Sequence, residues 1–186
     1  MEKFQRHIER AAQALNEANI PYMVIGGQAV LMHGEPRFTR DIDITLGVDV
    51  NELEKVLRVV KKISLISVVP NEKEFAQHNN VLLLQDEKDG VRFDLLFSFL
   101  PYERQAIRRA AIIKVGNTDV CFATAEDTII HKMFAGRPRD IEDVKGIVNV
   151  QQSLDEKYIE HWLGEFGTLL NKDLVGEYKK TVQEIY

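Results

Sequence analysis

The chain begins with apolar residues at helical spacing, and a short apolar segment follows them. Phe4, Ile8 and Leu15 would lie on one face of an amphipathic helix. Residues 22–25 form a continuous apolar run that predicts a buried strand, and two glycines end it. A helix is predicted over residues 28–32, directly after those glycines. The pattern therefore indicates a helix, a strand and a second helix in quick succession.

The middle of the chain predicts a further helix and two β-hairpins. Polar and apolar residues alternate over residues 41–46, which indicates a strand with one buried face. Residues 51–63 carry apolar side chains at helical spacing. Residues 80–97 predict a hairpin whose turn is DEKDG, and residues 110–123 predict another around GNTD.

The pattern becomes helical after residue 123. Thr124 and Asp127 resemble a capping box at the start of a helix. Helices are predicted over residues 125–135, about 140–150, about 154–163 and about 171–186, with breaks at residues 136–138, Ser153 and Gly167. Strands first and helices afterwards predict an α+β fold, with a core over residues 1–123 and a helical C-terminal subdomain over residues 124–186.

Composition and charge narrow the class of protein. A chain of 186 residues with 45% hydrophobic and 28% charged residues is typical of a globular domain. The net charge of −5 gives no overall attraction to nucleic acid or to anionic lipid. Cys121 is the one cysteine, so an intrachain disulfide is excluded. No segment approaches the roughly 18 apolar residues of a membrane helix, so we expect a cytoplasmic protein with no membrane partner.

Three aspartates are the candidate catalytic and metal-binding residues. Asp41 and Asp43 are two positions apart in a predicted strand, so their side chains share one face. Asp94 lies in a later strand, between Phe93 and Leu95 that would point to the other face. Adjacent carboxylates repel unless a cation lies between them, and Mg²⁺ suits such oxygen ligands. Three carboxylates can hold two Mg²⁺ ions about 3.5–4 Å apart, with Mn²⁺ as an alternative metal.

Gly26 and Gly27 stand between a predicted strand and a predicted helix. Glycines at such a junction let the backbone approach a phosphate closely, and a helix N-terminus presents free N–H groups. A triphosphate could therefore bind beside the metal ions.

These residues resemble the signature of the DNA polymerase β-like nucleotidyltransferase superfamily: Gly26-Gly27, a thirteen-residue spacer, Asp41-Ile42-Asp43 and a later Asp94. The segments GEPRFTRDID and HKMFAGRPRDIED, at residues 34–43 and 131–143, are similar to bacterial AbiE-type (abortive infection) toxins. The resemblance implies a palm-like mixed sheet with helices on one face, and a cleft between the sheet and the C-terminal helices. It also implies that Lys132 and Asp140 join the active site.

Each candidate also has a purely structural explanation. Asp41 and Asp43 could be the solvent face of a strand, and Lys132 and Asp140 could be surface charges. Asp86 and Asp89 suit turn formation, which is why Asp94 is preferred as the third carboxylate. The loop residues Arg37, Thr39 and Arg40 are nucleotide-binding candidates that could equally be solvated, and His131 is a weaker candidate.

The resemblance implies Mg²⁺-dependent transfer of a nucleoside monophosphate from ATP, GTP, CTP or UTP to an acceptor hydroxyl, with release of pyrophosphate. The acceptor could be a small molecule, a protein or tRNA, although the overall charge does not favour nucleic acid. One alternative is a toxin that acts on tRNA and is neutralised by an antitoxin. Another is a catalytically idle nucleotide-binding module, which three retained carboxylates argue against.

Overall fold

A computed structural model describes residues 2–98 and 100–185 of the chain. Within these residues a mixed sheet and helices form an α+β fold, as predicted. The strands are β1 (Tyr22–Ile25), β2 (Asp41–Leu46), β3 (Leu65–Ser67), β4 (Val81–Asp86), β5 (Arg92–Phe97), β6 (Ala111–Val115) and β7 (Thr118–Phe122). The helices are α1 (Glu2–Glu17), α2 (Gly26–His33), α3 (Leu53–Lys62), α4 (Glu72–Asn79), α5 (Pro101–Arg109), α6 (Ala125–Ala135), α7 (Pro138–Val150), α8 (Glu156–Leu170) and α9 (Leu174–Gln183).

The seven strands lie in the order β3-β4-β5-β2-β1-β7-β6. Both predicted hairpins are present, since β4 pairs with β5 and β6 pairs with β7 in antiparallel fashion. The central strands β2 and β5 run parallel to each other, and β1 is antiparallel to β2. The hairpin that carries Asp94 therefore lies directly beside the strand that carries Asp41 and Asp43.

Both faces of the sheet are covered by helices, which differs from the expectation of helices on one face. Successive residues of β1 point to opposite faces, and all four are buried. Val24 packs in a core with residues of α1 and α3, whereas Met23 packs in a second core with residues of α2, α6, α7 and α8. Helix α2 starts at the residue directly after β1 and packs on this second face.

Several boundaries differ from the predicted ones for local reasons. Helix α2 begins at Gly26 rather than after the glycines. Helix α5 was not predicted, although Pro101 is at its first position and Glu103 accepts a hydrogen bond from the Leu100 amide at 2.6 Å. Gly167 lies inside α8 instead of ending a helix. A Cβ at this position would lie 2.6 Å from the Lys172 carbonyl oxygen, which explains why the residue is a glycine. The segment 64–79, which forms β3 and α4, was not predicted either.

The predicted capping residues behave as expected. The Thr124 hydroxyl accepts a hydrogen bond from the Asp127 amide at 3.2 Å and so caps α6. Asp86 accepts hydrogen bonds from the amides of Lys88 and Asp89, which fixes the turn between β4 and β5. Within the described ranges, none of the helices combines the length and the apolar character that a bilayer-crossing segment requires.

Candidate active site

The three candidate carboxylates lie on one face of the sheet at its centre. Asp43 of β2 is directly opposite Asp94 of the parallel strand β5, and Asp41 is one step along the same face. The intervening residue Ile42 and the neighbours of Asp94 point to the other side and are buried in the core. The alternation of polar and apolar residues in two adjacent strands thus brings the carboxylates together.

The electrostatics of this group are unfavourable for three negative charges. Burial, together with the charges of Asp41 and Asp94, raises the pKa of Asp43 to about 7 against the opposing effect of Lys132 and Arg137. Burial and the charge of Asp41 likewise raise the pKa of Asp94. A cation among these carboxylates would relieve the repulsion, and oxygen ligands of this kind suit Mg²⁺ or Mn²⁺. The residues present therefore fit a divalent metal.

Another group of potential metal ligands has its ligand atoms closer together than the three candidate carboxylates do. In the part of the chain that the structure describes, His7, Asp86 and Asp89 bring three ligand atoms within 4.8 Å of one another, whereas Asp41, Asp43 and Asp94 do not form such a group. Asp86 accepts a hydrogen bond from Arg10 at 2.6 Å, and Asp89 is 3.0 Å from His7 Nε2 and 3.3 Å from Lys3. These cationic and amide partners already bind the two carboxylates, so this group is an ion-pair network that anchors α1 to the turn.

The two glycines make room for the protein's own side chains. Gly26 has a φ of +62°, and a Cβ there would overlap the carboxylate of Asp43. A Cβ on Gly27 would lie 2.5 Å from the hydroxyl of Thr39, which donates to a carboxylate oxygen of Asp41 at 3.2 Å. The glycine pair thus lets two site residues pack against the junction of β1 and α2, whose first amides have no side-chain cap among the described residues.

A buried ion-pair network faces the carboxylates from the C-terminal helices. Lys132 of α6 lies 2.9 Å from Asp140 and 2.9 Å from Asp143, both on α7. Arg137 pairs with Asp140 at 2.6 Å, and Arg37 of the loop before β2 pairs with Asp143 at 2.8 Å. Burial favours a raised pKa for Asp140, but hydrogen bonds from Arg137 and Lys132 outweigh it and lower that pKa. The network connects the loop, α6 and α7.

All of the candidate residues except His131 line one cavity of about 690 Å³. An adjoining cavity of about 520 Å³ opens on the other side of Asp43 and Asp94. The first is lined by Gly26, Gly27, Arg37, Phe38, Thr39, Arg40, Asp41, Asp43, Asp94, Lys132, Arg137, Arg139 and Asp140. Both volumes are within the range of small-molecule sites.

The walls of the two cavities differ in chemistry. The first has a cationic rim, formed by Arg37, Arg40, Arg137 and Arg139. The second shares Asp43, Asp94, Lys132, Arg137 and Asp140 with the first. The rest of its lining combines apolar side chains of β4 and β5 with polar or charged residues: Thr45, Asn79, Asn80, Glu103 and His131. Burial and then the charge of Lys132 lower the pKa of His131 to about 4, so this ring is neutral at pH 7.

Sequence reasoning missed several residues that the structure brings to the site. Asp143 is three positions after Asp140, so the two carboxylates share a helix face, a spacing that could have been noticed. Arg137 and Arg139 were not among the candidates, yet both line the first cavity. Asn79 and Asn80 end a helix that the sequence pattern did not predict, so nothing pointed to their position.

The geometry can be compared with solved structures. A nucleotidyltransferase-like antigenic protein from Paracoccidioides brasiliensis has a TM-score of 0.61 and 15% identity, with 96% of this chain and 93% of that chain covered. ANT(2″)-Ia in complex with adenylyl-2″-tobramycin has a TM-score of 0.61 and 16% identity, with 90% and 99% covered. A putative nucleotidyltransferase from Thermotoga maritima has a TM-score of 0.52 and 12% identity, with 81% and 96% covered. The fold is therefore the nucleotidyltransferase fold.

The family follows from the sequence itself. The model of the nucleotidyl transferase AbiEii toxin family, a family of type IV toxin–antitoxin systems, matches residues 13–175. The chain belongs to this family and is a nucleotidyltransferase, which confirms the resemblance seen in its motifs. A search of curated protein sequences finds no match.

Proposed function

We propose that this protein transfers a nucleoside monophosphate from a nucleoside triphosphate to an acceptor hydroxyl and releases pyrophosphate. The observation that carries the proposal is the pairing of Asp43 with Asp94, beside Asp41, at the boundary of two cavities. One cavity has a cationic rim suited to a triphosphate, and the other is suited to an acceptor. A reaction that joins two substrates needs this arrangement around its reacting atoms.

The carboxylates would hold two Mg²⁺ ions, with Mn²⁺ as an alternative. When bound, such ions neutralise the charge that develops on the α-phosphate and on the leaving pyrophosphate. In our proposal Asp41 and Asp43 of β2 would supply carboxylate oxygens to hold these ions. Asp94, which lines both cavities, would accept the proton of the attacking hydroxyl.

The first cavity would hold the triphosphate. The amides at the start of α2 and the side chains of Arg37, Arg40 and Arg139 present hydrogen-bond donors or positive charge to it. Lys132 is held between two carboxylates, so its Nζ keeps a fixed position toward the phosphates while Asp140 balances its charge. Thr39 orients Asp41 through its hydroxyl. This cavity lies between the sheet and α6 and α7, which supports a core over residues 1–123 and a helical subdomain over residues 124–186.

The second cavity would hold the acceptor. The apolar side chains of β4 and β5 and the uncharged polar residues Thr45, Asn79 and Asn80 in this cavity suit a small hydroxyl compound. Family membership favours a different acceptor, since toxins of toxin–antitoxin systems act on cellular components and are neutralised by an antitoxin. A protein or tRNA acceptor, and an antitoxin partner, therefore remain part of the proposal.

Label transfer tests the reaction and identifies the acceptor in one experiment. The protein is incubated with each α-labelled NTP, Mg²⁺ and a cell extract, and the small-molecule, protein and RNA fractions are counted. We expect one fraction to retain label with Mg²⁺ and to lose it with EDTA, because the triphosphate and three carboxylates repel without a cation. Equal labelling in both conditions would exclude the proposed metal site, and labelling of no fraction with any NTP would favour an idle module.

The junction of β1 and α2 gives a second test. Gly26→Ala should weaken NTP binding in the presence of Mg²⁺ by about 10-fold or more, since the new methyl group displaces the Asp43 carboxylate. The matched control is Gly136→Ala, which has the same φ of +62° but whose Cβ would meet its nearest atom, the Met133 carbonyl oxygen, at 3.6 Å. The control should cost about 1 kcal/mol of stability and leave binding unchanged. Titration calorimetry measures NTP binding by the two variants. Equal binding losses in Gly26→Ala and Gly136→Ala would refute the proposed role of Gly26.

A further inference from the structure

Phe38 is an exposed aromatic residue inside a polar site. Its side chain is 70% exposed, and it lines the cavity of about 690 Å³ that contains Asp41, Asp43 and Asp94. Single exposed apolar residues are ordinary on protein surfaces. Phe38 differs because it lies in the concave wall of the proposed nucleotide site, where a ligand would cover it.

The backbone that carries this ring is held from both sides. Arg139 donates a hydrogen bond to the Phe38 carbonyl at 2.6 Å. The preceding residue, Arg37, pairs with the buried carboxylate of Asp143 at 2.8 Å, and the following residue, Thr39, is buried against Gly27. The backbone of Phe38 is therefore held at a fixed place relative to the carboxylates, so the entropic cost of ordering the loop on binding is small.

A second flat group lies near the ring. The guanidinium carbon of Arg40 is 5.8 Å from the centroid of Phe38, at the outer limit of a cation–π contact. Aromatic rings and guanidinium planes are the two side-chain surfaces on which nucleobases stack. Both are on the same loop as the residues that face the proposed triphosphate.

We propose that Phe38 is the platform on which the base of the nucleoside triphosphate stacks, with Arg40 beside it. This inference rests on the proposed function, because the triphosphate must bind at Gly26 and Gly27 for the base to reach the loop. Every base has an aromatic face, so the platform binds all four NTPs and does not discriminate among them by hydrogen bonds. Phe38 thus contributes affinity for the nucleoside, while the arginines contribute affinity for the phosphates.

A pair of ligands separates these contributions. Binding of ATP and of inorganic tripolyphosphate, each with Mg²⁺, is measured by titration calorimetry for the parent protein, Phe38→Ala and Phe38→Trp. Phe38→Ala should weaken ATP binding roughly 5- to 100-fold, as expected for one lost stacking contact, and leave tripolyphosphate binding within about twofold. Phe38→Trp should bind ATP at least as tightly as the parent does. Because the side chain is exposed, folding should be unaffected, which a thermal melt verifies.

The control is Phe134→Ala, which removes another exposed aromatic side chain, 46% exposed, that is not among the residues lining either cavity. Phe134→Ala should change neither the affinity for ATP nor the affinity for tripolyphosphate. An equal loss of ATP and tripolyphosphate binding in Phe38→Ala, or no loss of either, would overturn the stacking role while leaving the proposed function intact. A parent protein that binds neither ligand with Mg²⁺ would overturn the proposed function and this inference together.

Discussion

Asp43→Asn should lower the rate of nucleotidyl transfer by about 100-fold or more while leaving the protein folded. Asparagine has nearly the same size and still forms hydrogen bonds, but it removes one negative charge from a residue that would hold the metal ions. Electrostatic stabilisation by bound metal supplies most of the rate in phosphoryl transfer, so the loss should be large. Label transfer from an α-labelled NTP to the acceptor measures it, with circular dichroism to confirm the fold.

Two other aspartates make matched controls for this substitution. Asp119→Asn changes an exposed residue of β7, in the same sheet but not among the residues of either cavity. Asp86→Asn changes a carboxylate that is 2% exposed and bonded to Arg10, so it should destabilise the fold without altering the activity of the folded molecules. If Asp86 proved essential for transfer and Asp43 dispensable, the assignment of the catalytic centre would be wrong.

Local sequence patterns were sufficient to predict the strands of this site. The alternation in residues 41–46 and the hairpin over residues 80–97 each place aspartates on one face, because side-chain direction in a strand has a period of two. The helix cap at Thr124 and the turn around Asp86 were also predictable, because their hydrogen bonds join residues only two or three positions apart. The arrangement of the carboxylates follows from such short-range rules once the two strands are neighbours.

Contacts between distant segments could not be predicted in this way. Arg37 and Asp143 are far apart in the chain, and only the packing of α7 against the loop before β2 brings them to 2.8 Å. The Cβ position of Gly26 is adjacent to Asp43 because β1 and β2 are antiparallel, which no spacing in the sequence reveals. The expectation of helices on one face was wrong for the same reason, because the packing of α1 and α3 on one face and of α2, α6, α7 and α8 on the other joins distant segments.

The pKa values of Asp43 and Asp86 are shifted in opposite directions, so ionisation of these two groups has opposite effects on stability. The pKa of Asp43 in the folded protein is about 7, above the ordinary value of 3.8 for an aspartate, so ionisation of this group opposes folding. The penalty is absent below about pH 4, grows as the pH rises toward 7 and is constant above it. Burial favours a raised pKa for Asp86, but hydrogen bonds from Arg10 and from the amides of Asp89 and Lys88 lower it. Its contribution to stability is therefore present at neutral pH and lost in acid.

In the presence of EDTA, Asp43→Asn should therefore be more stable than the parent at pH 8, by about 1–3 kcal/mol, and the difference should shrink toward zero as the pH falls to about 4. Asp86→Asn should be less stable than the parent at pH 8, because it removes the negative charge that pairs with Arg10. This difference in stability should also shrink in acid. Urea denaturation at a series of pH values gives both curves. Saturating Mg²⁺ should reverse the order of the parent and Asp43→Asn, since the metal ions stabilise the folded parent by binding it. A stability gain that persists unchanged in acid would contradict the raised pKa of Asp43. A gain that survives saturating Mg²⁺ would contradict the assignment of Asp43 as a metal ligand.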